Sequence, residues 1–250
     1  MEREVKRILL LVCFAVAFGV GSIEANEREF LLVLGNYPPY EYEDQNAFKG
    51  IHVDILREAF KRLGFQIRLE ILPWKRMLKT AETGRSKAVF SLTITEDRLR
   101  YLCFPSESLS TVTSALFARK NSGFKIDELN ELDNRSIGII ESYTYGEEFD
   151  QLSSLHKVNC KDEKEQVLML SKERVDLVAA EEAPFFFVAR KLGLDKDFEK
   201  IHTLSEHSLY IGFSKRALGK RCESVVRSFN KVLKEMRAEG IVRKISSRYE

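Results

Sequence analysis

The chain has no surplus of charge to offer a polyanion. Its 40 Lys+Arg stand against 38 Asp+Glu, a net charge of +2, and no block of like charge interrupts the mixture. A nucleic-acid partner or a charged interaction tail therefore has no electrostatic basis. Beyond residue 25 no apolar run approaches the roughly 20 residues that a bilayer crossing takes. Histidine is scarce at four residues, and His156, His202 and His207 have no cysteine, histidine or carboxylate partner at metal-ligand spacing, so no metal site is expected. Residues 212–220 have the wrong spacing for a phosphate loop, with Arg221 where a Ser or Thr is required, and there is no G-x-S-x-G nucleophile elbow. No internal repeat or low-complexity segment appears. Nothing here asks for a cofactor.

Cysteine is scarce too. Of four, Cys13 lies near the N-terminus, leaving Cys103, Cys160 and Cys222. An odd count excludes a fully paired framework. One disulfide is allowed, and the sequence does not choose the pair. What remains is ordinary globular composition, 44% hydrophobic and 31% charged, enough apolar material for one or two cores.

Residues 1–25 read as a secretory signal peptide. Arg3, Lys6 and Arg7 precede an uncharged run over residues 8–21, short for a bilayer span, and residues 22–25 bring Ala25 ahead of cleavage before Asn26. The alternative is an N-terminal membrane anchor. A lipoprotein is excluded, because Val12 replaces the small residue required before the cysteine. The mature protein is expected outside the cytoplasm.

From residue 30 the chain alternates strand-like and helix-like segments. Residues 30–35 read as a strand. Leu56, Ala59, Phe60 and Leu63 then mark one buried helix face, which Gly64 ends. Strand, helix and strand follow over 66–71, 74–83 and 87–92, a rhythm that predicts a parallel sheet covered by helices. The pattern restarts with a β-rich segment at 111–118 and a polar stretch at 119–123 suited to a crossover. Strands at 136–140, near 160 and at 177–180 alternate with helices at 145–152, 164–171 and 184–191. A strand at 209–214 supplies a second crossover. Val225, Phe229, Val232, Leu233 and Met236 form an amphipathic stripe, and Gly240 precedes a last short helix. Two α/β units in one chain place a cleft where strand C-termini and helix N-termini converge.

The most informative stretch is Ser91-Leu92-Thr93-Ile94-Thr95-Glu96-Asp97-Arg98, directly after a buried strand. There Thr93 offers a hydroxyl and a backbone N–H, and Arg98 can pair bidentately with a carboxylate. On residue type alone Arg98 would read as a solvated surface residue. Its surroundings change that reading. The stretch resembles the ligand-carboxylate motif of the family 3 bacterial extracellular solute-binding proteins, the polar amino-acid binders of ABC uptake systems. Tyr37-Pro38-Pro39-Tyr40 is similar to that family's first loop, and Gly50-Ile51-His52-Val53-Asp54-Ile55 to its helix entry. Trp74 stands at the usual aromatic position. Arg135-Ser136-Ile137-Gly138-Ile139-Ile140 resembles the first strand of its second lobe, and residues 229–233 and 239–241 its C-terminal helices.

The resemblance implies an α/β, two-lobed type II periplasmic binding protein-like fold, two lobes joined by two crossover strands. It implies a periplasmic, monomeric protein that delivers a small amino-acid-like ligand to an ABC permease and catalyses nothing. Residues 26–116 plus 210–250 would form lobe 1, and 117–209 lobe 2, with hinges near 115–118 and 208–212. Arg98 would grip the ligand carboxylate with help from Thr93, Ser91 would lie toward the ammonium, and Tyr37 and Trp74 would sandwich the side chain. Plain core packing is the other reading for Trp74. Ser142, Tyr143 and Thr144 would open a helix whose free N–H groups attract an anion; the family usually has Gly-Thr where this chain has Ser142-Tyr143. Glu181 would meet the ligand ammonium, with Glu182 as a competing candidate. His52 points toward the side-chain specificity region, and a surface histidine is its competing reading. Two further functions fit the same scaffold: a secreted cyclohexadienyl dehydratase-like enzyme with Glu181 or Glu182 as general acid, and a sensing module for a membrane receptor.

Overall fold

The first apolar run builds β1 (Glu29–Leu34), whose neighbours are both parallel strands, and Phe30, Leu32, Val33 and Leu34 are buried. The computed structural model describes residues 29–132, 134–140 and 143–249; the leader assigned to residues 1–25 lies outside them. A loop through Pro38-Pro39, whose peptide bond is cis, leads to the hairpin β2 (Tyr42–Asp44) and β3 (Ala47–Lys49). Helix α1 (Ile51–Arg62) starts at Gly50, where φ is 130° and a Cβ would stand 2.2 Å from the Tyr40 carbonyl oxygen. Only glycine permits that approach. The first N–H groups of α1 consequently donate to the loop, Ile51 to Pro39 and His52 to Tyr40.

Next come β4 (Gln66–Ile71), α2 (Trp74–Glu82), β5 (Ala88–Leu92), the single turn α3 (Glu96–Leu99) and β6 (Leu102–Cys103). A long strand, β7 (Ser110–Arg119), opens the second half. It is followed by β8 (Ser136–Ile140), α4 (Glu147–Gln151), β9 (His156–Cys160), α5 (Glu163–Ser171), β10 (Leu177–Glu181) and α6 (Glu182–Lys191). Strand β11 (Phe198–Ser214) returns to the first half, and α7 (Lys215–Leu218), α8 (Cys222–Ala238) and α9 (Ile241–Ser246) close the chain.

The strand order is β4-β1-β5-β11-β7-β10-β8-β9, with β6 also on β11. Two half-sheets thus share β11. Its residues 198–209 run antiparallel to β7, and residues 210–214 pair with β5 and β6. Each half-sheet is covered on both faces. In the first half, Leu32, Phe60 and Phe229 pack on one side and Val33, Met77 and Val89 on the other. In the second, Leu116, Ile137 and Tyr145 face one core, and Phe117, Phe185 and Phe198 the other.

Three expectations change. Strand β11 begins at Phe198, well before residue 209. Its alternation is broken by register shifts between Lys200 and His202 and between Thr203 and Ser205, so no period-2 pattern survives in the sequence. The polar stretch 119–123 is not a crossover. It turns at the far end of β7, where Lys120 N–H donates to the Asp197 carbonyl. The hinge expected at 115–118 is likewise displaced, because those residues are paired to both β10 and β11. The chain passes between the halves at the opposite end of β7, where Leu109 N–H donates to Leu209 at 2.7 Å.

The open disulfide question is answered. Cys103 at the end of β6 is bonded to Cys222 at the start of α8, and Cys160 is a buried free thiol. No helix among the described residues is long and apolar enough to cross a membrane.

Candidate functional site

A cleft of about 840 Å³ lies between the halves, within the size range of small-molecule sites. The first half contributes Tyr37, Trp74, Ser91, Thr93 and Arg98; the second contributes Tyr143, Thr144 and Glu181. Eight of the ten side chains singled out from the sequence therefore share one cavity. Ser142 lies outside the described residues. His52 is the exception: it does not line the cleft.

Arg98 sits in the turn α3, which Thr95 caps. Its Nη1 donates to the Thr93 carbonyl at 2.8 Å and to the Thr93 hydroxyl at 2.9 Å, and its guanidinium lies 5.2 Å from the centre of the Trp74 ring. Those contacts fix the side chain across the end of β5. Among the described residues no carboxylate lies within ion-pair distance of it, so its positive charge is uncompensated in a half-buried place. Burial works against that charge and lowers its pKa, yet a guanidinium stays protonated. Trp74, the first residue of α2, is 43% exposed, which rules out the core-packing reading.

On the facing wall, Glu181 ends β10 and precedes α6. Its carboxylate accepts a hydrogen bond from the Tyr37 hydroxyl, and His207 Nε2 stands 3.6 Å from its other oxygen. Burial raises its pKa to about 7. The competing candidate Glu182 is paired with Lys200 at 2.8 Å and does not line the cleft.

The helix start expected at residues 142–144 is displaced. Helix α4 begins at Glu147 and runs five residues. The Tyr145 and Gly146 N–H groups ahead of it donate to the Asp150 carboxylate, and Tyr143 N–H donates to the Ile140 carbonyl. Those three donors are therefore occupied within the turn itself. Tyr143 and Thr144 still line the cleft, with the Tyr143 hydroxyl donating to Glu163 at 2.8 Å.

The floor of the cleft holds what the sequence reading missed. Glu41, only 2% exposed, accepts from Gly35 N–H at 3.2 Å and from the Ser91 hydroxyl. Ser91 has φ 61°, a left-handed conformation that non-glycine residues seldom adopt. Its hydroxyl is also 2.7 Å from His52 Nδ1, and the second imidazole nitrogen is 2.8 Å from the Ser110 hydroxyl. His52 is wholly buried beneath the Tyr40 ring, 4.8 Å away and stacked. It is neither a surface histidine nor a cleft-lining one, because Gly50 draws the start of α1 in under the loop. Burial moves both groups away from their charged forms: Glu41 is raised to about 8 and His52 lowered to about 3. The sequence signal for Glu41 was its place between Tyr40 and Tyr42 at the start of a short hairpin. Nothing in that pattern distinguishes it from exposed Glu43. Among the described residues no cluster of His, Cys, Asp and Glu suits a metal ion.

Comparisons with known proteins identify the family and the fold. The sequence profile of the bacterial extracellular solute-binding proteins, family 3, matches residues 31–250. The chain is 22% identical to the arginine-binding extracellular protein ArtP of Bacillus subtilis, with 98% of this chain and 97% of that one aligned. It is 24% identical to the histidine-binding periplasmic protein of Escherichia coli K12, covering 98% and 96%. Among solved structures, the arginine-bound form of truncated ArgBP from T. maritima superposes with a TM-score of 0.64 at 21% identity, covering 85% of this chain and 98% of that one. The fold is the two-lobed type II arrangement, and the chain belongs to the bacterial extracellular solute-binding proteins of family 3.

Proposed function

We propose that this protein captures a free amino acid between two closing lobes. The observation that carries the reading is Arg98, a guanidinium without a carboxylate partner among the described residues, lining a cleft whose other wall holds Glu181. Opposite charges on opposite walls match the two ends of a zwitterion. The ligand docks first on Arg98 and Thr93 through its carboxylate. Its ammonium then takes the Glu181 carboxylate from the Tyr37 hydroxyl, and closure follows. Tyr37 and Trp74 flank the ligand side chain, Ser91, Tyr143 and Thr144 complete the polar lining, and Ser142 joins them on sequence grounds.

In this reading lobe 1 comprises residues 29–109 and 210–249 and lobe 2 residues 110–209. The divisions follow the strand pairing at Leu109, Ser110 and Leu209. The protein acts as a monomer in the periplasm, delivers its ligand to an ABC permease of the inner membrane, and performs no catalysis. Basic amino acids head the ligands to test, because the relatives named above bind arginine and histidine.

The test is a thermal-shift and calorimetric screen of residues 26–250 against the amino acids. A ligand at 100 times its Kd stabilises the fold by about 2.7 kcal/mol. The same titration of Arg98→Ala is expected to lose most of the affinity. Near-normal binding in that variant would remove Arg98 from the site and the reading with it.

A further inference from the structure

From the cleft-lining Ser91 runs a continuous chain of polar groups whose other members, Glu41, His52 and Ser110, the capture scheme leaves unused. Glu41 meets the Ser91 hydroxyl, Ser91 lies 2.7 Å from His52 Nδ1, and His52 Nε2 lies 2.8 Å from the Ser110 hydroxyl. One end lines the cleft. The other is the first residue of β7, paired with Leu209 where the chain passes between the halves. The stacked Tyr40 ring holds the imidazole in place.

With the buried imidazole neutral and the Ser91 proton kept within the chain, two arrangements remain. A hydroxyl donates only once, yet Ser91 faces two partners, so one of them must donate to it. When Glu41 carries a proton, it donates to Ser91, Ser91 donates to Nδ1, and the imidazole proton sits on Nε2 and points to Ser110. When Glu41 is ionised, Ser91 donates to the carboxylate, the imidazole proton sits on Nδ1 and points to Ser91, and Ser110 donates to Nε2. Between the two, each group passes its proton one place along, from Glu41 to Ser91, Ser91 to Nδ1 and Nε2 to Ser110. Ser110 releases one proton to solvent. The imidazole is neutral in both states, and all three bonds reverse.

We propose that His52 is a positioning residue whose tautomer, set by the proton on Glu41, couples the cleft-lining Ser91 to Ser110 at the root of β7. Of the titratable and charged groups, His52 Nδ1 on α1 stands 4.0 Å from this carboxyl and Tyr40 stacks on that imidazole. Tyr37, Lys75 and Arg98 line the same cleft from the first half, and Glu181 and His207 from the second. Burial opposes the charged forms of both Glu41 and His52, which places the reversal in the neutral-to-alkaline range with the ring uncharged. The switch itself needs no ligand; its bearing on capture rests on the amino-acid-binding reading above.

Imidazole ¹⁵N shifts distinguish the tautomers directly. In the ligand-free protein, with the His52 signals assigned by their loss in His52→Phe, the proton is expected on Nε2 at about pH 6 and on Nδ1 at about pH 10, without an imidazolium between. In Glu41→Gln the side-chain amide donates to Ser91 at every pH, so the Nε2 form should persist throughout. A single tautomer across the range in the wild type, or an imidazolium, overturns the switch. L-arginine and L-histidine are then titrated calorimetrically across the same range. Above the pH at which Glu181 titrates, wild-type affinity is expected to change about fivefold or more, and that alkaline limb should flatten in Ser110→Ala. An identical limb in the variant overturns the positioning role. If neither amino acid binds the wild type while the tautomers still exchange, the amino-acid reading fails and the switch stands.

Discussion

The Tyr37 hydroxyl, on the loop after β1, donates to the Glu181 carboxylate at the end of β10, so a single hydrogen bond spans the two walls of the cleft. A hydrogen bond to an ionised group contributes about 1.5–3 kcal/mol, enough to shift an open–closed equilibrium by about tenfold or more. Ligand-free Tyr37→Phe is therefore expected to be more open. Small-angle scattering checks this as an increase in radius of gyration relative to the wild type; an unchanged radius would mean that the bond does not bias closure.

Arg98→Lys keeps the charge at the cleft wall but loses the planar fork held by Thr93 and stacked on Trp74. Its Kd for whichever amino acid the wild type binds is expected to rise about 10- to 100-fold, a loss of roughly 1.4–2.7 kcal/mol. Isothermal titration reads it. An unchanged Kd would mean that a point charge suffices and that the fork has no role.

Glu41 gives stability an alkaline limb. Its pKa is raised from the unfolded value of 4.5 to about 8, so between those values the folded state holds the proton that the unfolded state releases. The contribution is complete below pH 4.5 and is lost as pH rises through about 8. Glu181, raised to about 7, acts in the same direction. Urea unfolding of the ligand-free protein should show stability falling across this window, and Glu41→Gln should fall less. Equal slopes in the two proteins would contradict the buried, proton-holding carboxyl.

The Cys103–Cys222 bond closes a long loop, with 119 residues of sequence separation. Chain-entropy arguments assign a loop of this size about 4–5 kcal/mol. Cys103→Ser and Cys222→Ser are each expected to lower the melting temperature by several degrees or more, as is reduction of the wild type. A scan showing equal melting in oxidised and reduced protein would count against it.

The sequence was most legible where secondary structure follows an apolar pattern. The bounds expected for β4 and β8 are those observed, because β4 alternates polar and apolar residues just after Gly64 and β8 is a compact apolar run. Helix α8 carries the expected stripe, with Phe229, Leu233 and Met236 buried. Strand β11 was legible only in its apolar last third, since two register shifts scramble the rest. At the site, residues carried by the strand-to-helix turn at 91–98 converge on the cleft. Glu41 and His52 were not legible as a pair, because their burial depends on Gly50 seating α1 beneath the loop, a tertiary contact with no periodic signature.

The disulfide also has a mechanical consequence. Both cysteines lie in the first half, and all of the second half lies within the ring they close. Tension applied between residues 29 and 249 therefore runs through residues 29–103, across the sulfur–sulfur bond, and along residues 222–249. The second half hangs from this load path by its two crossover segments, outside the covalent line that bears the strain.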